Sequence, residues 1–189
     1  VVFAHDIVFF NELCQAADAV DIEPVTIALF SDGNAAGKID TSGMVWKGLN
    51  VKKRLGYIKQ KSVQLRKLHG TSPADYEFET KGLYGRLRDA YERVVEEVIF
   101  SDIVRRGSDV IQTQKLRYVT LPDELAIRFH EGMTKANTHS HDNPASDTVA
   151  IPDPDEFAAD LEALEVLVTE FKMAKEAAEV ARPKMKPKI

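Results

Sequence analysis

His5 follows directly on the short β-branched and aromatic run Val1-Val2-Phe3-Ala4. The run does not alternate, so it reads as a strand buried on both faces. Ligands of α/β folds bind outside the carboxyl ends of parallel strands. A histidine at that point can donate a hydrogen bond to a phosphate or to a catalytic water. The simpler reading is a capped strand end with a solvated His. A second group, His139-Ser140-His141-Asp142, brings three potential metal ligands together. Histidines two apart suit a strand better than a loop, and no helical His-x-x-x-His or Cys partner accompanies them, so the group reads as a solvated loop and not as a metal site. A third set is Arg88 and Glu92, spaced to share one face of a helix. The plain form of such a pair is a solvent-exposed salt bridge.

These residues need elements to position them. Residues 1–4 predict a strand, Asp6 caps a helix over residues 7–20, and residues 25–30 predict a second strand. Strand, helix and strand in so short a span read as a βαβ-like edge of an α/β sheet. Residues 31–43 carry three glycines and small polar residues and read as a turn or hairpin connection. After Trp46 the pattern becomes helical. Asn50 caps a helix over 51–69, and Gly70-Thr71-Ser72-Pro73 breaks it. A long helix follows over 74–105, with Leu83, Leu87, Tyr91, Val94, Val95 and Val98 as its stripe. Gly82 and Gly85 predict a bend or interruption there, each costing roughly 1 kcal/mol. Residues 110–121 read as a short strand or extended link, 122–137 as a helix, and 138–154 as a loop. Residues 155–181 form a last amphipathic helix, and the Pro- and Lys-rich end reads as disordered. The expected fold class is α+β, mostly α-helical. Residues 1–45 form the sheet edge, 46–181 a helical domain and 182–189 a tail.

The 189 residues carry a net charge of −5, with 44% hydrophobic and 29% charged residues, as a soluble globular chain does. The global balance does not favour a nucleic-acid binder. Locally, Lys52-Lys53-Arg54 through Lys67 is basic, and so are residues 182–188, whereas 153–170 is acidic. The basic helix reads as a solvated face before a nucleic-acid groove. Trp46, Tyr57, Tyr76, Tyr84 and Tyr91 read as packing residues before base-stacking platforms. Cys14 is the single cysteine. It reads as a buried structural thiol, excludes an intrachain disulfide and is compatible with the cytoplasm, the expected location. No apolar run approaches the roughly 20 residues of a membrane span, and no signal peptide is evident. The first residue is Val, which points to an excised or processed piece of a longer protein.

The segment Val-Val-Phe-Ala-His-Asp-Ile-Val-Phe-Phe, residues 1–10, resembles the terminal switch-histidine motif of ABC-type ATPases of the structural-maintenance-of-chromosomes and RecF group. The resemblance implies that His5 contacts the γ-phosphate of ATP and that the rest of the head lies upstream. Gly33-Asn34-Ala35-Ala36-Gly37-Lys38-Ile39 is not a Walker A loop, because its glycines are four apart and Ile39 replaces the hydroxyl residue that holds Mg²⁺. ATP and Mg are therefore expected in the full-length protein and neither in this piece alone. The implied partners are the remainder of the head and a second copy in a homodimer.

The stretches Trp46-Lys47-Gly48-Leu49-Asn50-Val51-Lys52-Lys53-Arg54, Leu87-Arg88-Asp89-Ala90-Tyr91-Glu92-Arg93-Val94-Val95-Glu96-Glu97, Gly132-Met133 and His141-Asp142 resemble the C-terminal region of large bacterial coiled-coil ATPases linked to phage defence. The first expectation is a helical effector or partner-binding domain coupled to the nucleotide state. Some relatives, the RloC- and PrrC-type anticodon nucleases, cut transfer RNA with an Arg-x-x-x-Glu pair and a later His. By that resemblance Arg88, Glu92 and His141, or in its place His139, would form a metal-independent ribonuclease site, with transfer RNA or another nucleic acid as partner. Such cleavage needs a base, an acid and a cation for the phosphorane, and Arg88 would be the clamp.

Overall fold

A computed structural model describes residues 1–31, 33–40, 45–105, 110–140 and 148–182. The chain is mostly helical, with one small two-stranded sheet. It divides into two compact units. The first is Val1–Asn50, and the second comprises Val51–Arg105 with the described residues from 110 onward.

In the first unit α1 spans Ile7–Ala19. Asp6 starts it as its residue type predicts: the carboxylate accepts from the N–H groups of Val8 (2.7 Å) and Phe9 (3.3 Å). The helix ends where Asp21 takes a left-handed φ of 57°, with the Ile22 N–H donating to the Ala17 carbonyl. β1 (Ala28–Phe30) pairs antiparallel with β2 (Lys38–Asp40), with Leu29 opposite Ile39. Gly33 and Gly37, at φ 87° and 78°, take left-handed conformations in the connection.

This corrects the expected βαβ edge. Val1–Ala4 is exposed and outside any strand, and the strand at Ala28–Phe30 finds its partner through a hairpin. The physical reason is local. A parallel pair needs a covered sheet on which to form, whereas a hairpin needs only a turn. Phe10 packs instead on the 3-10 turn Trp46–Gly48, where a Cβ on Gly48 would lie 2.7 Å from Phe10 Cε1. Cys14 is half-buried rather than buried.

The second unit holds the core. α2 (Val51–Ser62) and α3 (Leu65–His69) replace the single helix expected over 51–69. The break leaves Val63 exposed and re-aims Leu65 into the core. The first amide of α2, at Val51, donates to the Glu97 carboxylate at 3.0 Å. α4 (Pro73–Val94) starts on Pro73 and runs unbroken past Gly82 and Gly85. Burial of Leu83, Tyr84, Leu87, Ala90, Tyr91 and Val94 outweighs the glycine cost. The expected extension to Arg105 stops instead in a π-turn at Val95–Ile99. Ser101 and Asp102 then turn left-handed, and the Asp102 N–H closes on the Glu96 carbonyl at 2.8 Å.

Residues 113–118 form a 3-10 turn and not a strand. Arg182 fastens this turn to the end of the last helix by donating to the carbonyls of Arg117 (3.1 Å) and Val119 (2.6 Å). α5 (Asp123–His139) and α6 (Pro154–Ala181) follow the sequence periodicity. Asp153 caps α6, accepting from the Asp155 and Glu156 amides at 2.9 and 2.8 Å. Those bonds hold the Asp153 carboxyl below its usual range. Phe157, Leu161, Leu164, Leu167, Val168 and Phe171 of α6 are buried in the unit's core. The tail from 183 lies outside the described residues. Among the described residues no helix is long and apolar enough to cross a membrane.

Candidate functional site

Side chains of α4, α5 and α6 meet around a buried tyrosine. Tyr84, with its side chain fully buried, donates its hydroxyl to Asp160 Oδ2 at 2.6 Å. The other oxygen of Asp160 accepts from Lys135 Nζ at 2.8 Å, and Lys135 also meets Glu156 at 2.8 Å. One residue from each of three helices thus meets at one carboxylate. Burial, and then the hydrogen bond to Asp160, push the Tyr84 phenol far up, so it stays protonated at any physiological pH. Burial alone would pull Lys135 down. Its hydrogen bonds to Asp160 and Glu156 outweigh that, and its pKa is raised.

His139, at the end of α5, lies over the same tyrosine with ring centroids 5.0 Å apart, and Phe157 meets Tyr84 edge-on at 4.9 Å. Burial, and then the charge of Lys135, lower the His139 pKa below its usual 6.5. His139 is therefore a neutral core histidine near neutral pH. Among the described residues no group of three or more His, Cys, Asp or Glu is placed to hold a metal ion.

Next to this cluster a cavity of about 290 Å³ opens between α4, α5 and α6. Tyr91 and Gly132 share its wall. A Cβ on Gly132 would overlap the Tyr91 hydroxyl and sit 2.8 Å from Cζ, so glycine is required where α5 passes the ring. Burial pushes the Tyr91 phenol up to about 12.

No family model, curated protein or solved structure matches the chain.

Arg88 and Glu92 do come together: Arg88 Nη2 lies 3.5 Å from Glu92 Oε1, with both side chains half-buried. His141 lies outside the described residues. His139 is engaged with Tyr84 in the core. His5 is exposed, and the strand that was to present it is not formed. The Tyr84–Asp160–Lys135 cluster was missed in the sequence. A tyrosine on an apolar stripe gives no sign of its distant partner, and Asp160 is one of several carboxylates on an acidic helix, so nothing in the sequence singles it out.

Proposed function

We propose that this chain is the C-terminal part of an ABC-type, SMC-like ATPase of the phage-defence kind. Residues 1–50 would complete the ATPase head, and the helical unit would couple its nucleotide state to a partner. The observation that carries this reading is the contrast between the two units. No described residue before Val51 is buried, while Val2, Phe3, Val25, Ile27, Phe30 and Ile39 are exposed. A hairpin of two three-residue strands is not independently stable in water and calls for a further sheet or helix on its apolar side chains. The edge of an ATPase sheet would be such a segment, and ATP with Mg would be held by the other parts of that head. His5 would then face the γ-phosphate as a hydrogen-bond donor.

Arg88 and Glu92 side by side are compatible with the ribonuclease alternative. The coupling reading is the better supported, because His139 is committed to Tyr84 and the Arg–Glu pair neutralises itself. The test is ATP turnover by the full ATPase with His5→Ala. Losing one transition-state hydrogen-bond donor should lower kcat by about 100-fold. Wild-type turnover in that variant would remove His5 from the role.

A further inference from the structure

The 3-10 turn at Thr113–Tyr118 is seated on the end of α6, where Arg182 donates to the carbonyls of Arg117 and Val119. Its other end is tied to the segment after the π-turn, with the Gln112 N–H donating to the Ile103 carbonyl at 3.0 Å. Three stretches far apart in sequence thereby bring basic side chains together: Arg105, Lys115 with Arg117, and Lys175 with Arg182. Two of these cations share the ring of Tyr118. The Arg117 guanidinium lies 4.9 Å from its centroid and the Lys175 ammonium 5.3 Å.

Carboxylates answer only part of this charge. Arg117 pairs with Glu179 at 2.9 Å, and Arg105 Nε lies 3.7 Å from Asp102. Lys115 and Lys175 have no ion pair among the described residues. Glu176, next along α6, is exposed and pairs with neither. Lys115 is half-buried, so water does not fully screen it from its neighbours. Burial is the largest cause lowering its pKa; Asp102 opposes the shift, and the charges of Arg105 and Lys175 add to it. Like charges gathered at such a place repel, and a bound anion removes that repulsion.

We propose that the surface between residues 113–118 and the end of α6 binds one phosphate group, free or as a monoester, with the Lys115 and Lys175 ammonium groups donating to its oxygens. A phosphate monoester carries a charge of about −1.5 to −2 at neutral pH and three acceptor oxygens, which matches two ammonium groups without counter-ions. A nucleic-acid strand carries one charge per phosphate and needs a longer basic track. The acidic stretch 153–170 of the same helix and the net charge of −5 do not supply one. The proposal concerns the helical unit alone and does not depend on the ATPase reading.

The experiment is an NMR titration of the full chain at constant ionic strength with inorganic phosphate and with methyl phosphate. Acetate is the monoanion control, and a short oligothymidylate with hydroxyl ends is the phosphodiester control. Saturable shifts at Lys115, Tyr118 and Lys175 are expected with phosphate. Saturation by both probes assigns the site to the phosphate group itself, and saturation by one alone assigns it to the free ion or to the monoester. Lys115→Gln and Lys175→Gln should each weaken binding by about tenfold, as loss of a charged hydrogen-bond partner does. Unchanged resonances of the buried Leu164 verify that each variant is folded. Lys61→Gln, at an exposed lysine over the Tyr57 ring, should leave binding unchanged. The proposal is overturned if neither phosphate probe gives saturable shifts, if acetate or the oligothymidylate binds as tightly as phosphate, or if Lys61→Gln weakens binding as much as Lys115→Gln.

Discussion

The hydroxyl of Tyr91 occupies the space that a side chain at position 132 would need, so α4 and α5 touch there through a phenol and a bare backbone. Gly132→Ala should therefore destabilise the helical unit by about 1–3 kcal/mol, the usual cost of overpacking. Adding Tyr91→Phe removes the atom in closest conflict and should recover part of the loss. Urea unfolding of the two single variants and the double variant measures this coupling. Additive losses would show that the two positions do not interact.

Tyr84→Phe deletes the 2.6 Å hydrogen bond to Asp160 without changing shape. A bond to a charged acceptor is worth about 1.5–3 kcal/mol, and the variant should lose that much. Lys135→Met should be felt at His139, whose basicity the Lys135 charge depresses. The His139 titration, followed by its ring proton shifts, should move up in Lys135→Met. In Asp160→Asn, which removes a charge acting the other way, it should move down.

Stability should fall on both sides of neutrality for identifiable reasons. His139 has a folded pKa below its unfolded 6.5, so the unfolded chain takes up its proton first. That contribution is complete above pH 6.5 and is lost as the pH drops through the folded value. Tyr84 and Tyr91 have folded pKa values above 10, so their contribution is complete below pH 10 and lost above it. Chemical denaturation at a series of pH values should show both declines, and His139→Phe should flatten only the acidic one.

Core and edge should respond differently to truncation. Leu164 is fully buried on α6, and Leu164→Ala should cost about 2–5 kcal/mol. Phe3 is exposed, and Phe3→Ala should leave the stability of this chain within about 0.5 kcal/mol. A large loss at Phe3 would mean that the first unit has a core of its own, contrary to the reading of it as a sheet edge.

Transfer RNA incubated with the chain in EDTA should give the same gel pattern as with Glu92→Ala, because Arg88 and Glu92 act as an ion pair on α4. Fragments that vanish in the variant would instead establish the ribonuclease.

The helices that repeat apolar residues at turn spacing were legible in the sequence. α6, α5, and the start of α4 at Pro73 all follow from local periodicity and helix-start chemistry. The hairpin connection was legible in its glycines. The strand at residues 1–4 was misread, because a short apolar run records a preference for burial and not the partner that would provide it. The split of 51–69 into two helices was also hidden, since only packing makes Leu65 turn inward at the expense of Val63. The functional residues divide in the same way. Sequence spacing placed Arg88 beside Glu92, a contact within one helix. It could not place Tyr84 on Asp160, 76 residues away, or Tyr91 on Gly132, or Glu97 at the start of α2. Side-chain periodicity fixes which face of a helix is apolar. Which residues meet across two such faces depends on how the helices settle against each other, and that is decided only when the core packs.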